Sequence, residues 1–268
     1  MNRIILEQNE ISPDCTATFG GARAEHVLAV LHGSVGQTLK TGVVNGLVGT
    51  SIIERIENLP PDGATGLPQG VITVRCTHDE QPLPPWIDMI LAPPRPRAFK
   101  RLLPQLASLG VRRIVLVGAE KVEKAFWGAQ VLKPELYHPL FMDGLMQAGV
   151  TAMPTISIEK SFRRYATLGR LAADFPTSAR IVAHPDTDIS QTSSAMHTDD
   201  PEHIPVLAIG PEGGWTDDEI KMLESLSFRR FSLGPRILRT DTAVIALLAQ
   251  LMAEKERHDA GHRPCVGV

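Results

Sequence analysis

Two glycine-bearing stretches near the C-terminus carry the residue types best suited to holding a polar ligand. Gly210-Pro211-Glu212-Gly213-Gly214 follows the apolar run Val206 to Ile209. Leu233-Gly234-Pro235-Arg236-Ile237-Leu238-Arg239-Thr240 opens the last apolar helical segment. Each stands where a strand gives way to a helix. Glycine lets backbone pass close to a ligand and adopt positive φ, so the two loops read as walls of one pocket. A tight strand-to-helix turn needs only one or two glycines. Three around a single carboxylate leave amides and carbonyls open to a polar ligand. In the second loop Pro235 fixes φ. Arg236 and Arg239 share a face if the turn is helical, and Thr240 or Thr242 can cap the helix that follows. An ordinary helix start with two solvated arginines is the plain alternative.

The elements that must position these loops follow from the pattern upstream. Residues 1 to about 76 are β-rich, with short β-branched runs at Ile4–Leu6, Leu39–Val44, Gly49–Ile53 and Val71–Val74. Asn45-Gly46 is a hairpin signal. Ala24 to Leu31 reads as one short helix with Val27, Leu28, Val30 and Leu31 on its apolar face, and Leu59 to Gly70 as a turn-rich loop. This region is expected to be a small β-barrel, followed by a linker at Thr77 to Pro85. From residue 87 strands and helices alternate. Strands are expected at 87–91, 114–117, 152–158, 181–184, 206–209 and 230–233. Helices are expected at 98–109, 132–148, 165–175, 216–226 and 242–257, with a polar loop at Ser190 to His203. Thr216 and Glu219 stand at capping-box spacing. Such alternation implies an α/β domain with a mostly parallel sheet.

Composition narrows the class. The chain has 268 residues, enough for two domains, with 43% hydrophobic and 21% charged residues. Net charge is −3, so contact with nucleic acid requires a local basic face. Arg95, Arg97, Lys100, Arg101, Arg112 and Arg113 fall in one stretch without an acid, and Lys160, Arg163 and Arg164 form a second cluster. A solvated helix face is the plain reading of the first. Residues 1 to 80 hold five basic and nine acidic residues, a net of −4. Cys15, Cys76 and Cys265 are odd in number and far apart, which implies a reduced, cytoplasmic protein without a zinc site or disulfide framework. No run approaches the roughly 18 apolar residues of a membrane span. Gly-x-Gly-x-x-Gly after an early strand, Gly-Lys-Ser/Thr, His-Glu-x-x-His and Gly-x-Ser-x-Gly are all absent.

Together, Ile209-Gly-Pro-Glu-Gly-Gly-Trp-Thr-Asp-Asp-Glu219 and Ser232-Leu-Gly-Pro-Arg-Ile-Leu-Arg-Thr-Asp-Thr-Ala243 resemble the signature of the ribosomal RNA small-subunit methyltransferase E family of the SPOUT superfamily. Arg23-Ala-Glu-His-Val27 and Leu106-Ala-Ser-Leu-Gly-Val111 agree more loosely. The resemblance implies a PUA-like, RNA-binding β-barrel over residues 1–80 and a SPOUT methyltransferase α/β domain with a trefoil knot over 86–258. It also implies a homodimer without a metal, cofactor S-adenosyl-L-methionine, and a partner in 16S ribosomal RNA of the small ribosomal subunit. Backbone of three loops would hold the cofactor: Ala183, His184 and Pro185; Gly210, Pro211, Glu212, Gly213 and Gly214; and Leu233, Gly234, Ile237 and Leu238, with Thr242 beyond them. The final helix, Ala243 to Met252, is equally consistent with a twofold interface and with a plain core helix.

The implied reaction is methyl transfer to N3 of a uridine. The sulfonium is an activated donor, so positioning does much of the work. N3 carries a proton, and catalysis needs a base or a cation beside the developing uracil anion. Arg239 and Arg236 are the candidates for anion stabilisation and phosphate contact. Glu212 has two roles open to it, base or loop tie through amide hydrogen bonds, and the tie is favoured. Arg23, Arg95, Arg97, Lys100, Arg101, Arg163 and Arg164 are the candidate RNA contacts. The chain departs from the family at Met146 to Pro154, where Gln147 is kept but an acid and an arginine are missing. Alternatives are a SPOUT enzyme with a different target nucleotide, or a non-catalytic ribosome-assembly RNA-binding protein.

Overall fold

A computed structural model describes residues 2–61, 63, 66–176, 179–185 and 204–261. The expected polar loop at Ser190 to His203 lies outside the described residues, as does Cys265. The chain divides into two compact units. Unit 1 comprises 1–84 and 139–153, and unit 2 comprises 85–138 and 154–268.

Unit 1 contains strands β1 (Ile4–Leu6), β2 (Thr16–Phe19), β3 (Thr38–Val43), β4 (Val48–Leu59) and β5 (Gln69–Glu80), with helix α1 (Gly21–Ala29) between β2 and β3. They form one sheet in the order β1-β3-β4-β5-β2. β1 runs parallel to β3, and the other pairs are antiparallel. The hairpin expected at Asn45-Gly46 joins β3 to β4, with Asn45 at φ 56°, a left-handed conformation that asparagine tolerates. One apolar cluster draws on all five strands and α1, through Ile4, Ala17, Phe19, Val27, Leu39, Ile53 and Ile72.

Three expectations need correction here. α1 begins at Gly21 and ends at Ala29, so Val27 is buried while Val30 and Leu31 are exposed. Thr77–Glu80 belong to β5, so the linker is shorter than expected. Residues 139–153 associate with unit 1 because their polar groups are used there. The Met146 carbonyl accepts the N–H groups of Asn2 and Arg3 at 2.9 and 3.2 Å. Buried Thr151 donates to the Gly46 carbonyl at 2.7 Å.

Unit 2 contains β6 (Ile87–Leu91), α2 (Pro96–Ser108), β7 (Val111–Val117), the start of α3 (Pro134–Ala148), β8 (Thr155–Glu159), α4 (Phe162–Thr167), α5 (Arg170–Asp174), β9 (Arg180–Ala183), β10 (Val206–Ile209), α6 (Asp217–Ser225), β11 (Arg229–Phe231) and α7 (Thr240–Gly261). The six strands form one sheet in the order β11-β9-β10-β6-β7-β8, parallel throughout. Strand faces alternate. Ile90, Val115, Val182 and Ala208 join a core with Phe162, Tyr165, Leu171, Ile220 and Leu223 of α4, α5 and α6. Met89, Leu91, Ile114, Leu116 and Leu207 on the other face are buried as well, as a parallel sheet covered on both sides requires. α2 packs on α7.

The helix expected over 165–175 is two helices, because Gly169 between them takes φ 73°. Within β6, Asp88 is fully buried. It is matched by a two-pronged contact from Arg112 at 3.0 and 2.6 Å and by Arg113 at 3.2 Å. Arg113 also stacks on Phe175. These two arginines of the basic stretch are therefore committed to Asp88.

Candidate active site

Strand order decides which loops meet. β10, β9 and β11 are neighbours and parallel, so their C-terminal ends lie side by side at one edge of the sheet. The three loops nominated from the sequence leave from those ends. Sequence direction reverses between β6 and β10, and the crevice at such a switch point is where open parallel sheets bind ligands.

Ser232 links two of the loops. It is 4% exposed, donates its hydroxyl to the Pro185 carbonyl at 3.2 Å and accepts the Gly234 N–H at 3.1 Å. The His184 N–H donates to the Phe231 carbonyl at 3.0 Å. The sequence reading did not place Ser232 in the site. A hydroxyl two residues before a glycine, able to turn back on the backbone, was the available signal.

The Gly210–Gly214 loop is held by two side-chain contacts, and a third fixes the helix start that follows it. Glu212 Oε1 accepts the Arg95 N–H at 3.0 Å. Lys121 Nζ donates to the Gly213 carbonyl at 2.9 Å. Glu219, 5% exposed, accepts the N–H groups of Thr216 at 2.9 Å and of Glu120 at 2.8 Å. The capping box predicted from Thr216 and Glu219 therefore also fastens α6 to the loop after β7. Arg95, Glu120 and Lys121 acquire these roles through loops distant in sequence, which spacing does not reveal.

The glycines have local reasons to be glycine. A Cβ at Gly210 would sit 3.0 Å from the Trp215 nitrogen, and one at Gly213 would sit 3.1 Å from the Lys121 side chain. Gly214 and Gly234 take φ 70° and 99°. Close packing at Gly210 and Gly213 and left-handed backbone at Gly214 and Gly234 each favour glycine. What remains open is backbone. The N–H groups of Glu212, Gly213, Arg236, Ile237 and Leu238 have no hydrogen-bond partner among the described residues. Ile237 is 92% exposed and Leu238 37%. Amide donors beside apolar side chains match a ligand with an aromatic base and a polar tail.

Arg236 and Arg239 are both exposed, and neither guanidinium has a partner among the described residues. They do not share a helix face, because α7 begins only at Thr240 and residues 236–239 are irregular. Thr242 lies in the first turn of α7. It lines a groove with Arg101, Leu102, Gln105, Asp241, Ile245 and Ala246.

Of the nominated RNA contacts, Arg23 is engaged within unit 1. It pairs with Glu10 and donates to the Ile5 carbonyl at 2.9 Å. Arg101 pairs with Asp241 at 3.1 Å. Arg97 and Lys100 are exposed on α2, opposite its buried face of Phe99, Leu102, Leu103 and Leu106. Arg163 and Arg164 are exposed on α4.

A covered parallel sheet with a ligand crevice at the C-terminal ends of its strands defines an α/β ligand-binding domain. The particular family is given by comparison. The family model described as RNA methyltransferase domain matches residues 80–252, and the chain belongs to that family. It is 29% identical over 94% of its length to ribosomal RNA small subunit methyltransferase E of Treponema pallidum, covering 91% of that protein. Among solved structures it resembles a ribosomal RNA small subunit methyltransferase E from Neisseria gonorrhoeae bound to S-adenosyl methionine. That likeness has TM-score 0.64 and 20% identity, over 94% of this chain and 97% of the other. It also resembles a Legionella pneumophila methyltransferase in complex with the bound cofactor SAM, at TM-score 0.68 and 22% identity, over 94% and 97% of the two chains. At these identities the structural likenesses speak for the fold.

Proposed function

We propose that this chain is an S-adenosylmethionine-dependent methyltransferase that modifies N3 of a uridine in 16S ribosomal RNA of the small subunit. The observation that carries the reading is the meeting of three loops, Ala183–Pro185, Gly210–Gly214 and Leu233–Leu238, at one sheet edge with backbone donors left open. That arrangement fits S-adenosylmethionine. The loops would hold the cofactor largely by main chain, with Ile237 and Leu238 against its adenine. The cofactor supplies a methyl group already activated on sulfonium.

The rest is done by the chain's own groups. Arg239 and Arg236, cationic and unpaired among the described residues, stabilise negative charge on the uracil as N3 loses its proton and contact RNA phosphate. Glu212 keeps the glycine loop in place through the Arg95 amide. Arg95, Arg97, Lys100, Arg163 and Arg164 supply salt-dependent RNA attraction.

The placement of β10 between β6 and β9, with α7 returning to α2, supports a trefoil-knotted SPOUT domain. The single core shared by all five strands of unit 1 supports a PUA-like barrel. The groove between α2 and α7, with Ile245 39% exposed beside Ala246 and Ala249, supports a homodimer across this face. No helix among the described residues is long and apolar enough to cross a membrane.

The test is methyl transfer from S-adenosylmethionine to small subunits lacking the modification, followed by nucleoside mass spectrometry of the 16S RNA. N3-methyluridine at a single site is expected. Cofactor binding without product would redirect the search to another RNA. Absence of cofactor binding would overturn the reading.

A further inference from the structure

Cys15 and Cys76 are far apart in sequence, yet unit 1 brings them together. β2 pairs antiparallel with β5, Thr16 against Arg75 and Ala17 against Val74. Just beyond the end of this ladder the Cys76 N–H donates to the Cys15 carbonyl at 2.8 Å, which sets the two cysteines side by side. Cys15 lies just outside β2 and gives its own N–H to the Ser12 carbonyl at 3.0 Å, so a single backbone bond joins the two cysteines and keeps their Cα atoms roughly 5 Å apart. Disulfides span Cα separations of about 4.4–6.8 Å. Both thiols are free. Cys15 is exposed, and Cys76 is half-buried against the unit 1 core. Cys15 also holds φ 63°. Cysteine gains nothing from that left-handed conformation, which glycine or asparagine adopts at lower cost.

We propose that Cys15 and Cys76 form a redox-active dithiol, an oxidation site on unit 1 that low-molecular-weight disulfides convert to an intramolecular disulfide. The exposed Cys15 thiolate attacks one sulfur of the disulfide RSSR. A Cys15–SR bond forms, the RS–SR bond breaks, and the leaving thiolate takes up a proton. Cys76 then gives its proton to solvent and attacks the Cys15 sulfur. The second RS thiolate leaves and is protonated. The protein loses two electrons and two protons, and RSSR is reduced to two RSH. Burial, with Cys15 adding to it, pushes the Cys76 thiol up, which fits Cys76 to the resolving step and Cys15 to the attack. The cross-link ties edge strand β2 to β5 and restrains the unfolded chain between them.

The test uses the full-length protein, equilibrated with oxidised and reduced glutathione, alkylated, and mapped by peptide mass spectrometry. The expected product is a Cys15–Cys76 cross-linked peptide lacking two hydrogens, reversed by thiol reductant, with a higher thermal midpoint in the oxidised protein. Cys76→Ser is expected to stop at a mixed disulfide on Cys15. Persistence of that mixed disulfide in the unsubstituted chain overturns the proposal. So does full alkylation of both thiols at every ratio, or a bond from either to Cys265.

Discussion

Arg239 and Glu212 are both polar side chains on glycine loops, and their surroundings separate them. Glu212 is tied to a main-chain amide, whereas the Arg239 guanidinium is unpaired among the described residues. Arg239→Ala is expected to lower methyl-transfer turnover about 10²-fold, the typical cost of removing one charge-stabilising donor. S-adenosylmethionine affinity, measured by calorimetry, should be little changed. Glu212→Gln keeps an acceptor for the Arg95 amide and should retain turnover. Glu212→Ala releases the loop and should raise the KM for the cofactor. A large loss of turnover in Glu212→Gln would instead make Glu212 the base. The sequence made both residues visible as polar groups on glycine loops. It could not show which was already occupied, since the occupying amide comes from a loop more than a hundred residues upstream.

At the scale of elements, the buried carboxylate of Glu219 fastens α6 in two directions, to its own first turn and to the loop after β7. Glu219→Ala removes a cap and takes the acceptor from two part-buried N–H groups, so a loss of about 1–3 kcal/mol is expected in urea unfolding. Only half of this was legible beforehand. The capping box is a local pattern, and the second tie is a contact between elements. The same division runs through the other elements. β10 is found where its apolar run lies, because a strand buried on both faces is apolar throughout, and β6 follows the same rule except at Asp88, whose charge two arginines match. The single helix expected over 165–175 fails at Gly169. Its flanks are helical by pattern, but glycine there takes a left-handed turn that lets α5 leave in a new direction. β2 was overlooked because Thr16–Phe19 is short, and its partner β5 comes more than fifty residues later.

For the whole molecule, Ile245→Lys would place a charge in the groove between α2 and α7. Sedimentation velocity is expected to show the variant as a monomer and the unsubstituted chain as a dimer. Acid should weaken unit 1 in two stages. Burial, with the charge of Arg3 adding, holds His78 below its ordinary value of 6.5. The unfolded chain therefore binds the proton more readily, so stability is full above about 6.5 and falls as pH drops below it. Burial alone would raise Glu10, but the hydrogen bond and charge of Arg23 and the Glu7 amide hold it below its ordinary 4.5. Its contribution is present above that value and lost as pH falls beneath it. Thermal unfolding between pH 8 and 3 is the measurement. His78→Gln, which can keep a hydrogen bond to Thr41, is expected to flatten the upper stage only.

By itself, the sequence determined the two-part organisation, the alternation that builds a parallel sheet, and the three loops worth inspecting. Each is written in periodicity, glycine and proline placement or a local motif, where neighbours along the chain are also neighbours in space. Tertiary structure alone decided that β10 lies between β6 and β9 and that Ser232 joins two of the loops. It also decided that Arg112 and Arg113 serve Asp88, that residues 139–153 belong with unit 1, and that Cys15 lies beside Cys76. Those outcomes depend on which strand pairs with which, a choice made by burial and hydrogen bonding across the whole chain that no single stretch of residues encodes.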